Sequence, residues 1–178
     1  MSSAQELETL LTGGHPNSLG NTVQVVTMVL ADKKLFDSLY QCYFSQDEVV
    51  RLRVSNAMKR VYKEHPEWLV PYIDKFITEI ALIQQASTQW TLAQLFLWLE
   101  KDMTSEQKVQ ATKIMQHNLE TNNDWIVQNT CIETLGVWAE KDETLKKWLV
   151  PKLEEFVVTG RKSVAGRAKK KLAILLPK

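Results

Sequence analysis

The stretch Leu97-Trp-Leu-Glu-Lys-Asp-Met-Thr104 returns forty residues later as Val137-Trp-Ala-Glu-Lys-Asp-Glu-Thr144. A second motif, Trp68-Leu-Val-Pro71, returns at twice that interval as Trp148-Leu-Val-Pro151. A period near forty residues is typical of repeat proteins, in which each repeat needs its neighbours to bury its apolar face. The repeat therefore predicts the fold, and it explains the positions of most of the large side chains.

Apolar residues recur at helical spacing along almost the whole chain. In the second repeat the apolar stripe consists of Val50, Val54, Ala57, Met58 and Val61. The basic residues of that helix fill the remaining positions, namely Arg51, Arg53, Lys59, Arg60 and Lys63. Similar stripes are formed by Val127, Cys131, Thr134, Leu135 and Trp138, and by Val164, Ala168, Leu172 and Leu175. Because no stretch alternates like a strand and no Asn-Gly or Asp-Gly hairpin occurs, the sequence predicts an all-α fold.

Helix ends have their own sequence signals. The segments Ser3–Glu6, Ser45–Glu48 and Thr104–Gln107 fit the capping box, and Gly160 suits a left-handed position after a helix. Together with the stripes, these signals predict a single domain over residues 1–178 that begins with an N-terminal cap over 3–12. They place helix pairs at 20–31 with 33–44, 46–63 with 67–83, 88–100 with 105–120, and 124–139 with 143–158, followed by a lone helix at 162–176. The corresponding units lie near 19–45, 46–85, 86–121, 122–160 and 161–176.

The opening Asp47-x-x-Val50-Arg51, followed by Val54, Ala57 and Met58, resembles the start of HEAT/armadillo-type repeats. The resemblance covers roughly residues 19 to 176. The fourth unit keeps Asp124 and Val127 but has Gln128 in place of the arginine and Thr134 in place of the alanine. The C-terminal unit keeps Val164, Arg167 and Ala168 without the aspartate, and the third unit has Ser87 and Gln89 instead. The resemblance implies a right-handed αα-superhelix of about four helix pairs with a C-terminal capping helix, a fold that hosts unrelated activities.

Composition excludes several classes of protein. Lysine and arginine (22) nearly balance aspartate and glutamate (21), so no global field directs the chain to nucleic acid or an anionic membrane. The apolar stretches are far shorter than the ~20 residues of a spanning helix, and the N-terminus lacks a signal sequence. We therefore expect a cytoplasmic protein without a membrane partner, in which Cys42 and Cys131 are small buried hydrophobic residues.

The sequence carries no pattern of a catalytic, metal or cofactor site. His15 and His65 each precede a proline, and His117 lies apart from both, so the spacing of a metal site is absent. The repeated segments Glu100–Asp102 and Glu140–Asp142 fall at turns between helices, where carboxylates cap the following helix. We therefore predict no catalytic residues, no metal and no cofactor.

The six tryptophans divide into two groups. Trp98 and Trp138 share one repeat position, and Trp68 and Trp148 share another, which predicts that each fills the same joint in its unit. Trp90 and Trp125 open first helices, and for these two core packing is the favoured interpretation and partner anchoring the alternative. The helix over 90–99 is apolar nearly all round, which predicts that other helices cover it.

The leading functional hypothesis is a non-catalytic scaffold that binds another protein or a peptide along its concave face. In the family that the chain resembles, second helices line that face. The resemblance implies that their exposed polar residues form the binding surface: Tyr72, Lys75, Glu79, Lys113, Gln116, His117, Glu120, Lys152 and Glu155. The oligomeric state stays open.

Two alternatives remain. The segment from Arg161 onward has seven basic residues and no acidic one, and it forms a candidate patch for phosphate or an acidic partner: Arg161, Lys162, Arg167, Lys169, Lys170, Lys171 and Lys178. Some DNA-alkylation-repair glycosylases are built from HEAT-like pairs, and Asp124 beside Trp125 offers a carboxylate next to an aromatic ring. The other alternative is a lyase-like chaperone that loads a cofactor onto a partner, as in some bilin-attachment proteins with HEAT-like repeats.

Overall fold

The computed structural model describes residues 1–177, and in this part of the chain every regular element is a helix. The all-α prediction is confirmed. The α-helices are α1 (Ser3–Leu11), α2 (Thr22–Ala31), α3 (Leu35–Gln41), α4 (Glu48–Glu64), α5 (Pro66–Leu69), α6 (Ile73–Thr78), α7 (Ala86–Trp98), α8 (Ser105–Thr121), α9 (Trp125–Ala139), α10 (Glu143–Thr159) and α11 (Lys162–Leu175). Short 3-10 turns occupy Cys42–Phe44, Val70–Tyr72, Ile80–Leu82 and Glu100–Asp102. The predicted helices are confirmed to within a few residues, with one exception.

The exception is the helix predicted over 67–83, which is broken into α5, a 3-10 turn, α6 and a second 3-10 turn. Pro71 has no N–H and its ring crowds the preceding turn, which interrupts a helix that has only just begun. In the repeated motif Pro151 lies inside the continuous α10. That helix is already capped by Asp142 and has two turns in place before the proline. The same four-residue motif therefore has two different local structures.

The caps differ in detail from the predicted ones. The capping box of Thr104 and Gln107 is confirmed, but α1 is capped by Ser2 with Gln5, one residue before the predicted pair. Helix α4 is capped by Asp47, whose side chain accepts a hydrogen bond from the backbone N–H of Val49 at 2.8 Å. Gly160 has a φ of −73°, so its predicted left-handed conformation is wrong.

The chain divides into two compact units, Met1–Thr91 and Leu92–Lys178, referred to below as unit 1 and unit 2. In unit 1, helix α4 packs against α1 and α2, and α1 also packs against α3. The α4 stripe predicted from the sequence is fully buried and forms the centre of this core. In unit 2, helix α9 packs against α8, α10 and α11. Its predicted stripe is also buried, from Val127 to Trp138.

Unit 1 contains a buried arginine that the sequence places on a solvated face. Arg53 is 2% exposed, and its Nη1 donates to the backbone carbonyls of Leu11 and Gly13, both at 2.6 Å. Its Nε donates to the carbonyl of Ser18 at 3.3 Å. The guanidinium lies so close to Gly20 that a Cβ at that position would be 2.7 Å from its Cζ. Arg53 therefore belongs to the core and holds the loop after α1 in place.

The buried face of α11 also differs from the prediction. Lys171 is 6% exposed, while the neighbouring Leu172 is only half-buried. The aliphatic chain of Lys171 crosses α9 at Gly136, where a Cβ would be 2.7 Å from its Cδ. Its Nζ reaches Glu133 at 2.8 Å, and this carboxylate offsets the buried charge.

None of residues 86–99, which include α7, is exposed. No described helix is both long enough and apolar enough to cross a membrane.

Candidate functional site

The predicted binding residues of unit 1 form one cluster with α3. The Tyr72 hydroxyl donates to Asp37 at 3.0 Å, and Glu79 accepts from the Tyr40 hydroxyl at 2.8 Å. Lys75 Nζ lies 5.2 Å from the ring centroid of Tyr40 and 5.1 Å from that of Tyr72. Burial raises the pKa of Tyr72 to about 12, and the hydrogen bond to Asp37 adds to the effect. The polar groups of Tyr72, Lys75 and Glu79 are thus engaged within unit 1.

Unit 2 contains an open groove of about 820 Å³. One wall is α8, which presents a row of side chains at helical spacing, and the other is the turn from α9 into α10. The lining residues are Ser105, Lys108, Val109, Thr112, Lys113, Gln116, Trp138, Lys141, Asp142, Glu143, Thr144, Leu145 and Trp148. The groove therefore includes two of the predicted binding residues, Lys113 and Gln116.

The apolar part of the groove is built around Trp138. This side chain is 1% exposed, which confirms its predicted place in the core. Lys108 Nζ lies 5.0 Å from its ring centroid and is held there by an ion pair with Glu100 at 2.5 Å. Trp148 is half-buried, and Val109 on the α8 wall is 53% exposed. The groove thus offers aromatic and aliphatic surface that a partner can cover.

Trp138 also carries an unused hydrogen-bond donor. Its Nε1 is buried and has no hydrogen-bond partner among the described residues. A buried polar group without a partner costs roughly 1–3 kcal/mol, so this donor lowers the stability of the free protein.

Among residues 1–177, the groove has two unpaired positive charges and one unpaired negative charge, that of Asp142. Lys113 and Lys141 are exposed and form no ion pair with any residue from 1 to 177. Glu143 is paired with Lys146 at 3.6 Å. Asp142 accepts a hydrogen bond from the backbone N–H of Leu145 at 2.9 Å. The two lysines therefore give the groove a local preference for anionic groups.

The other predicted residues of unit 2 do not line this groove. His117 and Glu120 are exposed on α8. Lys152 and Glu155 pair with each other at 3.0 Å, and the lysine also lies 5.7 Å from the ring of Phe156. The structure therefore brings together only part of the predicted binding set.

The predicted phosphate patch is smaller than expected. Glu133 forms ion pairs with Arg167 at 2.5 Å and Lys171 at 2.8 Å, so these two cations are occupied. Burial raises the pKa of Glu133, but the hydrogen bonds and positive charge of Lys171 and Arg167 outweigh it, so the pKa is lowered overall. The described cations that remain exposed are Arg161, Lys162, Lys169 and Lys170, and Lys178 lies outside the described residues.

Two of these free cations share an open cleft with an aromatic residue. The cleft is lined by Trp125, Arg161, Lys162 and Ser163. Trp125 is 41% exposed, so its interpretation as a core residue is wrong. Asp124, its neighbour, accepts hydrogen bonds from the backbone N–H groups of Ile126 and Val127 and is occupied as a helix cap.

Both cysteines are buried, as predicted. Burial raises the pKa of the Cys42 and Cys131 thiols to about 12, so neither forms a thiolate at neutral pH. Among residues 1–177, no three His, Cys, Asp or Glu side chains are grouped so that they could hold a metal ion.

Trp138 and Trp148 were predicted to fill structural joints, so these two residues did not indicate from the sequence that they line a groove. The shared repeat position does not give shared burial, since Trp68 is buried while Trp148 is half-buried. One signal for the groove was present in α8. Ser105, Val109, Thr112 and Gln116 follow one another at spacings of four, three and four residues, which places them on one face.

No protein-family model, curated protein or solved structure matches this chain. The resemblance to HEAT/armadillo-type repeats stays a prediction that rests on the quoted residues.

Proposed function

We propose that this protein is a non-catalytic binder of another protein, and that the groove of unit 2 takes a short acidic segment of the partner. The observation that carries the proposal is the groove itself, in which the half-buried Trp148 and the exposed Val109 lie with the unpaired Lys113 and Lys141. Its volume of about 820 Å³ suits a few side chains of a peptide.

The chemistry of the lining favours a protein partner. Tryptophan is enriched at the energetic centres of protein interfaces, because it buries a large apolar area with little loss of conformational entropy. Trp148 and the exposed Val109 provide that area at the surface of the groove. A partner side chain that covers Trp148 and Val109 removes their apolar surface from water, which stabilises the complex.

Charge defines the class of partner more closely. Lys113 and Lys141 leave two unpaired positive charges at the groove. Of its two acidic residues, Glu143 is paired with Lys146 and Asp142 caps α10. A segment with one large apolar side chain and at least one carboxylate complements this arrangement.

The same proposal includes a HEAT/armadillo-type array in a right-handed αα-superhelix, acting as a cytoplasmic scaffold. Two openings with the sequence Asp-x-x-Val have the same local geometry, which supports related repeats. Asp47 and Asp124 each cap their helix by accepting from the backbone N–H two residues later, at 2.8 Å and 2.9 Å. The valines that follow, Val50 and Val127, are both completely buried.

Selection from a phage-displayed peptide library on the full-length protein tests the groove. We expect peptides that combine an aromatic or large aliphatic residue with acidic residues. The double variant Lys113→Glu/Lys141→Glu should lose their binding by at least about tenfold, because two attractive charges become repulsive. Trp148→Ala should weaken binding by a similar factor.

Lys147→Glu is the matched control. Lys147 lies on α10, is exposed and does not line the groove, so this variant makes one Lys→Glu change, half the charge change of the double variant, elsewhere. Selected peptides that bind the Lys113→Glu/Lys141→Glu variant as tightly as the parent protein would contradict the proposal. Selected peptides without acidic residues would also contradict it.

A further inference from the structure

We infer that the surface formed by Trp125, Arg161 and Lys162 binds single-stranded nucleic acid. The site is separate from the groove, because the two share no lining residue. The inference therefore does not depend on the proposed function.

Of the six tryptophans, only Trp125 is exposed. Its indole lies at the start of α9, in the same cleft as Arg161, Lys162 and Ser163. An exposed indole offers a flat face on which an unpaired base stacks, and every base has such a face.

Two free cations lie in the same cleft as this indole. Arg161 and Lys162 are exposed and have no ion-pair partner among the described residues. Asp124 caps α9 and Glu133 pairs with Arg167 and Lys171, and neither carboxylate forms an ion pair with Arg161 or Lys162. The two cations are therefore available to a phosphate, and a guanidinium binds phosphate with two parallel hydrogen bonds.

Positive charge continues from the cleft along α11. Lys169 follows Lys162 by seven residues, which is close to two helical turns, so both project from the same side of the helix about 10.5 Å apart. Lys170 and Ser163 have the same relation. Lys169 and Lys170 are exposed. Positive charge thus extends from the cleft along the helix, as the backbone of a strand requires.

The combination favours a single strand over a duplex or an acidic peptide. In a duplex the bases are already stacked and paired, so Trp125 has no free base to contact. An acidic peptide matches the cations, but among residues 1–177 this cleft has no aliphatic lining residue for an apolar side chain, whereas the groove has Val109 beside Trp148. A single strand uses both features, since its phosphates meet the cations and its base covers the indole.

Fluorescence anisotropy with a labelled twelve-residue oligothymidylate tests the inference on the full-length protein. We expect saturable binding at 50 mM salt, weakened about tenfold by Trp125→Ala and much less by Trp125→Phe, which keeps an aromatic face. The double variant Arg161→Ala/Lys162→Ala should flatten the log–log salt slope by about 1.4, since each phosphate contact contributes about 0.7. Lys147→Ala is the control for loss of a cation elsewhere in unit 2.

An abasic oligonucleotide of the same length separates stacking from charge. It should bind the parent protein about tenfold more weakly than oligothymidylate and should bind Trp125→Ala no more weakly than it binds the parent. Circular dichroism checks that the variants keep their helical content. Absence of binding at 50 mM salt would overturn the inference. So would equal affinity for the abasic strand, for a duplex of the same length or for polyglutamate.

Discussion

Among residues 1–177, each unit buries one basic side chain, and the two units neutralise its charge by different means. In unit 1, Arg53 is surrounded by backbone carbonyls of the loop after α1 and has no carboxylate within ion-pair distance among the described residues. In unit 2, Lys171 is held by the carboxylate of Glu133. Backbone carbonyls do not titrate between neutral and acidic pH, whereas a carboxylate becomes protonated in acid. The contribution of the Arg53 contacts to stability should therefore be independent of pH, whereas that of the Lys171–Glu133 ion pair should depend on it.

A glycine makes room for the buried cation in both units. Gly20 lies against the guanidinium of Arg53, and Gly136 lies against the aliphatic chain of Lys171. The backbone at the two glycines is different. Gly20 has a φ of +49°, in the region that favours glycine, whereas Gly136 lies within the regular helix α9. A glycine is thus needed at position 20 for the positive φ and for the close approach of Arg53, and at position 136 only for the close approach of Lys171.

The largest expected effect is at Arg53. The substitution Arg53→Met should lower the free energy of unfolding by roughly 3–5 kcal/mol, because at least two carbonyls lose a charged donor worth about 1.5–3 kcal/mol each. Urea unfolding followed by circular dichroism measures the loss. Arg53→Lys should recover only part of it, since an ammonium group lacks the planar fork that contacts several carbonyls at once. A loss below about 1 kcal/mol for Arg53→Met would mean that the loop does not need the guanidinium.

The second prediction concerns the glycine beside this guanidinium. Gly20→Ala should cost about 2–3 kcal/mol, from the strain of positive φ together with the displacement of Arg53. Gly13→Ala is the matched control, because Gly13 has a φ of +74° but an added Cβ would meet nothing within 4 Å. It should cost only about 1 kcal/mol. Equal losses in urea unfolding would show that the close approach to Arg53 has no energetic weight.

Local patterns of the sequence predicted the helices well. The predictions of side-chain roles failed where a side chain is held by residues far away in the sequence. The α4 stripe from Val50 to Val61 required only periodicity, and all of it is buried. The burial of Arg53 depends on carbonyls about forty residues earlier, and a backbone carbonyl has no sequence signature. Only the glycines at 13, 14 and 20 hinted at an unusual loop there.

The candidate sites show the same division. Lys113 and Gln116 were predicted to bind a partner from their place on a second helix, and they line the groove. Arg167 and Lys171 were predicted to be part of a free basic patch, but both pair with Glu133, more than thirty residues earlier in the chain. A run of basic residues fixes the local charge, whereas the partners that neutralise it come from another helix.

The third prediction uses a double-mutant cycle at Gly136. In an ordinary helix Gly→Ala stabilises by roughly 0.8–1 kcal/mol. Here we expect Gly136→Ala to destabilise the protein by about 1–2 kcal/mol, because the new Cβ displaces the chain of Lys171. In a Lys171→Ala background the same substitution should become stabilising. If its effect on the free energy of unfolding has the same sign in both backgrounds, Lys171 is not the cause.

The smallest effect tests the pH dependence that separates the two buried cations. Glu133→Gln should cost about 1 kcal/mol at pH 7, a modest value because the carboxylate is partly exposed and its charge is screened by solvent. Since the pKa of Glu133 is lowered in the folded protein, its contribution is fully present above the pKa of about 4.3 expected in the unfolded chain. It is lost as the pH falls through the lower folded value. The difference between parent and Glu133→Gln in urea unfolding should therefore shrink as the pH falls below about 4, while that between parent and Arg53→Met should stay constant. A Glu133→Gln difference that does not shrink in acid would show that the charge of the carboxylate does not hold Lys171.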